Sequence, residues 1–127
     1  MKYVLVTGVS TGIGYSTVQQ LLLKGYGVFG SVRKESDANR LQVEFGNHFK
    51  PLVFDVRDED AINNSVKIVK KILNKNDVLT AVVNNSGIAL GGPVQHLPTD
   101  VFRKQFEVNL FGVLNVTRAY LKLLGAY

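Results

Sequence analysis

Cysteine is missing from all 127 residues, which removes disulfides and thiolate metal sites from consideration. Histidine is scarce: His48 and His96 each stand without a second ligand at metal spacing, so no metal is expected and both read as surface groups. No apolar stretch approaches the roughly 20 residues that a membrane-spanning helix needs. Met1 and Lys2 ahead of the apolar run 3–6 have the outward look of a leader, but that run is too short, and the residues from Gly8 onward have a better use. Linkers and low-complexity segments are lacking as well, so residues 1–127 read as one folded unit with a cytoplasmic location expected.

What remains is an ordinary globular composition, 46% hydrophobic and 20% charged. A chain of this size buries about two-thirds of its unfolded surface. The formal charge is +5 and the sequence pI is near 9.6. Nucleic-acid binding would need those charges gathered with stacking or groove-reading groups. The densest cluster, Lys67, Lys70, Lys71 and Lys75, shares one helix face by its spacing and has no interleaved aromatics. It reads as a solvated outer face, and neither nucleic acid nor membrane is expected as a partner.

The most informative segment is Thr7-Gly8-Val9-Ser10-Thr11-Gly12-Ile13-Gly14, directly after the β-branched run 3–6. A strand feeding a glycine-rich turn and then a helical pattern (Val18, Leu21, Leu22) is how an α/β fold presents a phosphate site. Unpaired N–H groups at the helix start, at the positive end of its dipole, suit an anion.

Strand and helix patterns then alternate. Strands are expected at 2–7, 26–32, 49–55 and 78–84, with helices at 12–24, at 35–45, and from Asp58, Glu59 and Asp60 to Lys75. Leu41 and Phe45 face inward on the second helix, and Ile62, Val66, Val69, Ile72 and Leu73 on the third. A loop through Pro98 leads to a long helix from Thr99 or Asp100 to about Leu124-Gly125, expected to turn Phe102, Phe106, Leu110, Val113 and Val116 inward. Strands joined by crossover helices imply right-handed βαβ units and a parallel sheet.

The spacing Gly8-x-x-x-Gly12-x-Gly14 after Thr7 resembles the short-chain dehydrogenase/reductase family, and differs from the Gly-x-Gly-x-x-Gly of long-chain dehydrogenases. Three further segments carry the resemblance: Asp55-Val56, Asn84-Asn85-Ser86-Gly87, and Asn109 within Phe106-Glu107-Val108-Asn109-Leu110-Phe111-Gly112. Their order and intervals match the family's first half across essentially the whole chain. The resemblance implies a Rossmann-type three-layer αβα fold, incomplete here, with about four strands in the order 3-2-1-4. Strand four would then be an apolar edge, and such edges tend to pair. Self-association through that edge or through the long C-terminal helix is expected.

The resemblance also implies roles. Gly8, Ser10, Thr11, Gly12, Ile13 and Gly14 would cradle a dinucleotide pyrophosphate. The family's acidic position for the NAD ribose falls on Val32, and Arg33 and Lys34 follow with no opposing carboxylate. That favours NADP over NAD. Asp55 would accept a hydrogen bond from the adenine amino group, assisted by the Val56 backbone. Asn84, Ser86 and Gly87 would border the cofactor ribose, Ser86 standing where the family has Ala. Asn109 corresponds to the asparagine that helps hold a water in the family's proton relay, and residues 88–93 would line a substrate entrance.

The family's catalytic Ser and Tyr-x-x-x-Lys pair are not found among these residues. Four positions after Tyr3, Tyr15, Tyr26 and Tyr120 stand Thr7, Gln19, Gly30 and Leu124. The expectation is an NADP-preferring oxidoreductase, moving hydride between cofactor and a carbonyl or alcohol, represented by its cofactor-binding half and negligibly active alone. Asn109 is the one partial member of its catalytic set. The alternative is a non-catalytic dinucleotide-binding or assembly module.

Overall fold

A computed structural model describes residues 1–125; Ala126 and Tyr127, the end of the expected 1–127 unit, lie outside the described residues. The strands are β1 (Lys2–Val6), β2 (Gly27–Val32), β3 (Phe49–Val53) and β4 (Val78–Val83). Helices α1 (Gly12–Leu23), α2 (Glu35–Phe45) and α3 (Glu59–Ile72) connect them. After β4 come a short 3₁₀ turn (Val94–His96), α4 (Thr99–Phe106), a π-helical segment (Glu107–Gly112) and α5 (Val113–Tyr120). The sheet is parallel with the order β3-β2-β1-β4, as the family resemblance implies.

Alternation along β1 builds two cores. Tyr3 and Leu5 join Phe29, Leu52, Ile62, Val69, Val116 and Tyr120 on the face covered by α3 and α5. Val4 and Val6 join Val18, Val28, Leu41 and Phe49 on the face covered by α1 and α2. A strand buried on both faces has no charged side to show, which is why β1 reads as an apolar run after Lys2 and β2 as apolar and small residues with Ser31 alone polar. Asp58 caps α3 by accepting from the Ala61 N–H at 3.0 Å, and Glu59 and Asp60 occupy its first turn, where negative charge meets the dipole. Lys67, Lys70, Lys71 and Lys75 are all exposed.

The β1–β4 register slips by one residue, so Tyr3 faces Leu79 and Val4 faces Ala81. Thr80, left between them, donates its hydroxyl to the Tyr3 carbonyl at 3.0 Å. β4 has no partner strand on its outer side among the described residues.

One expectation fails on the last helical stretch. Phe102, Phe106 and Leu110 are exposed by 38%, 57% and 52%, while Val108, Gly112, Val116 and Tyr120 face the core. Val116 is buried as expected and Val113 is half-buried. The cause is steric: the inner face must pass close to Val56, and a Cβ on Gly112 would come within 2.8 Å of a Val56 methyl. A small residue therefore turns inward and the large apolar stripe is carried to the outside. Among the described residues, no helix is long and apolar enough to cross a membrane.

Candidate functional site

At the end of β1 the chain reverses at Gly8, whose φ of 68° is a conformation that side chains resist. A Cβ there would also lie 2.8 Å from Ser86 Oγ. The turn is fastened from both neighbouring strands. From β2, Ser31 Oγ accepts the Gly8 N–H at 3.1 Å, and its carbonyl accepts the Val9 N–H at 3.0 Å. Beyond β4, the Asn85 amide donates to the carbonyls of Thr7 and Gly8 at 3.1 and 2.9 Å. The Thr7 hydroxyl in turn accepts the N–H groups of Asn85 and Ser86 at 3.0 and 2.9 Å. Gly14 lets α1 sit directly on this turn, because a Cβ there would collide with the Gly8 carbonyl and the Asn85 amide.

Beside the turn lies a cleft of about 370 Å³ at the C-terminal ends of the strands. Gly8 and Ser10 form one wall with Arg33, which follows β2. Asp55, Val56 and Arg57 come from the segment after β3, Ser86, Gly87 and Ile88 from that after β4, and Lys104 and Val108 from the helical stretch. Crevices at the strand ends of open α/β sheets are the usual place for a ligand. A wider groove of about 590 Å³ lies along α1 alone and has no second element to close it.

The remaining expected residues sit around this cleft without lining it. Thr11, Gly12 and Ile13 are exposed at the start of α1, and Gly14 is buried beneath them. Thr11 makes no side-chain cap and no acidic residue occupies the first turn of α1, leaving its N–H groups open to an anion. Lys34 is exposed at the start of α2. Asn84 points elsewhere, donating to Thr117 on α5 at 3.0 Å; Asn85, its neighbour, is the residue that holds the glycine turn. Asn109 Oδ1 accepts the Ile88 N–H at 2.9 Å and its Nδ2 donates to the Ile88 carbonyl at 2.7 Å.

Electrostatically the cleft is dominated by Asp55. The Arg57 side chain grips it as a fork, with contacts of 2.7 to 3.2 Å. That hydrogen bonding, with the nearby Arg33 charge, holds the carboxyl below its usual range despite partial desolvation. Tyr120 is fully buried with its hydroxyl 2.6 Å from Ser65 Oγ, and burial pushes its phenol up to about 12. It is a core pin, not a proton-transfer group. Among the described residues, no group of His, Asp and Glu is arranged to hold a metal.

Sequence reasoning passed over four residues that the fold brings here. Arg57 and Lys104 line the cleft. Gln105 clasps Leu90 one helical turn before Asn109 clasps Ile88. Arg40 on α2 donates to the Ser10 carbonyl at 3.0 Å while flanked by Asp37 and Glu44. Only the i, i+4 amide pair of Gln105 and Asn109 left a signal in the sequence, and it was visible only to a reader who already knew which face met the loop.

Comparison with known proteins agrees with the geometry. The short chain dehydrogenase family model matches residues 2–126. The chain is 44% identical over 126 residues to an NADPH-dependent 3-dehydrocapnine reductase of Ornithobacterium rhinotracheale, covering 99% of this chain and 44% of that protein. It is 32% identical to a serine 3-dehydrogenase of Rhizobium radiobacter, covering 95% of this chain and 48% of that one. Among solved structures, the closed form of a serine dehydrogenase complexed with NADP+ superimposes with a TM-score of 0.84 at 26% identity, over 94% of this chain and 48% of that chain. The chain thus spans about half the length of these relatives. With the glycine turn, the strand order and the family match in agreement, the chain belongs to the short-chain dehydrogenase family of oxidoreductases.

Proposed function

We propose that this chain forms the NADP(H)-binding part of an oxidoreductase that moves hydride between the cofactor and a carbonyl or alcohol. The observation that carries the reading is Arg33 on the wall of a cleft that begins at the Gly8 turn, with Val32 where a ribose-binding carboxylate would stand. The donor set fits an anionic dinucleotide. Open N–H groups at the start of α1, together with Ser10, suit a pyrophosphate, and Gly12 presents bare backbone to open space. Arg33 can fork onto a 2′-phosphate while Lys34 adds a point charge. Asp55 and Val56 would take the adenine edge, and Ser86 and Gly87 the nicotinamide-side ribose. Bound nicotinamide supplies the hydride chemistry. Asn109 fixes the loop at Ile88, beside which substrate would approach.

The relative named as NADPH-dependent and the neighbour solved with NADP+ support the cofactor choice. The Ser and the Tyr-x-x-x-Lys pair of the family do not occur in the sequence, so this chain alone has negligible turnover. Calorimetric titration with NADPH and NADH tests the reading. NADPH should bind about tenfold or more tightly than NADH, and Arg33→Ala should bring the two within about threefold, the loss of a charge-assisted contact. Equal affinity for both in the unmutated chain would defeat the NADP preference. Reproducible ketone reduction by the chain alone would overturn the division of labour, whereas binding without turnover is also what a non-catalytic module would show.

We infer further that a second copy pairs with the chain through the outer face of α4. Phe102 and Phe106 are exposed there, with Arg103 and Glu107 beside them at i, i+4 spacing.

A further inference from the structure

We propose that Arg57 is a positioning residue that readies Asp55 for a single N–H on the edge of a purine, making the cleft selective for a 6-amino over a 6-oxo base. The inference rests on the dinucleotide reading above and deepens it. Three N–H groups of Arg57 converge on one carboxylate. The main-chain N–H reaches Oδ1 at 2.9 Å, Nε–H lies between Oδ1 and Oδ2 at 3.1 and 3.2 Å, and Nη2–H meets Oδ2 at 2.7 Å.

An ionised carboxylate has about four acceptor positions. Three N–H groups therefore leave about one, and the carboxylate that carries it stands on the cleft wall with its side chain 27% exposed. A residue two positions away thereby fixes both the rotation of the carboxylate and the number of donors it still accepts. The guanidinium is itself steadied, by Asp55 above all and by the more distant charge of Glu107 on the π-helical segment.

The chemistry that matches one remaining acceptor is one N–H donor. An exocyclic amine supplies it and turns its second hydrogen to solvent. A keto oxygen at the same position would place an acceptor against an ionised acceptor, and the donor that such a base does carry, its ring N1–H, lies off the position that the amine would occupy. Asp55 is also kept ionised by the fork, so the carboxyl does not become a donor that could satisfy the keto form. Without Arg57 the carboxylate would rotate freely and offer its lone pairs to water or to Arg33, and the geometric basis of the discrimination would be lost.

Calorimetry with NADPH and its hypoxanthine counterpart, which carries a 6-oxo base, tests this on the 127-residue chain. The unmutated chain should prefer the 6-amino ligand by about tenfold or more, the usual effect of one hydrogen bond to a charged group. In Arg57→Ala that ratio should fall to within about threefold. In Arg57→Lys, which keeps charge but loses the fork, it should fall as far. The ratio, unlike the affinity itself, is not moved by a general loosening of the chain. Full amino preference retained in either folded variant overturns the inference. Equal binding of both ligands by the unmutated chain overturns it too, while leaving the dinucleotide reading intact. Binding of neither ligand sinks that reading and this inference with it.

Discussion

Gln105 holds Leu90 by both of its backbone groups, accepting the N–H at 3.2 Å and donating to the carbonyl at 2.9 Å. One turn later Asn109 does the same to Ile88. The two spacings agree because four residues of helix rise about 6 Å, nearly what two extended residues span, about 6.6 Å. The loop after β4 is thus hydrogen-bonded to a helix as if to a neighbouring strand.

Replacing Gln105 by Leu should release the outer clamp and spare the inner one. Amide exchange at Leu90 should quicken by about tenfold or more while that at Ile88 stays within about threefold, since local opening governs each amide separately. Equal acceleration at both would mean that the two clamps open as one unit.

The Tyr120 phenol gives the fold a defined alkaline limit. Its folded pKa of about 12 lies above the ordinary value of 10, so the folded state holds this proton more tightly than the unfolded state. The contribution is complete below pH 10 and is lost as pH rises toward 12. Tyr120→Phe should cost about 1 kcal/mol near neutrality, where the Ser65 hydrogen bond is lost. It should also flatten the fall in stability above pH 10, measured by urea unfolding at a series of pH values. A variant that loses stability above pH 10 as steeply as the parent would show that other groups set the limit.

Self-pairing through α4 predicts a dimer by light scattering at micromolar concentration. Phe106→Glu should shift the equilibrium toward monomer by at least about tenfold, because a charge would be buried against an apolar stripe. A monodisperse monomer of the unmutated chain would refute the pairing.

The strands and the glycine turn were legible because each leaves a local mark, β-branched runs, glycines at fixed spacing and Asp58 at a helix start, whereas the strand order followed from the family resemblance. The facing of the last helical stretch was not. Phe102, Phe106 and Leu110 keep helical spacing as well as any inward stripe, and spacing does not say which face meets the chain's own core. That was decided by the clearance between Gly112 and Val56, residues 56 positions apart in sequence. At the cleft, Asp55 and Arg33 could be anticipated by position, but Arg57, Lys104 and Gln105 are defined by what they touch. Arginines two residues from an aspartate are common; one that fills most of its acceptor positions is a fact of three dimensions.

The fastening of Thr7 also bears on how the chain is made. Its hydroxyl receives its N–H partners from Asn85 and Ser86, 78 and 79 residues later. A ribosome delivers the N-terminal part first. Until residues 78–86 have been made, β1 has β2 to pair with and no β4, and the glycine turn is fastened from the Ser31 side without its Asn85 side. The oldest part of the nascent chain acquires its final shape from the emergence of residue 86 onward, so that ligand capture on the ribosome would report the arrival of β4 rather than the birth of the first turn.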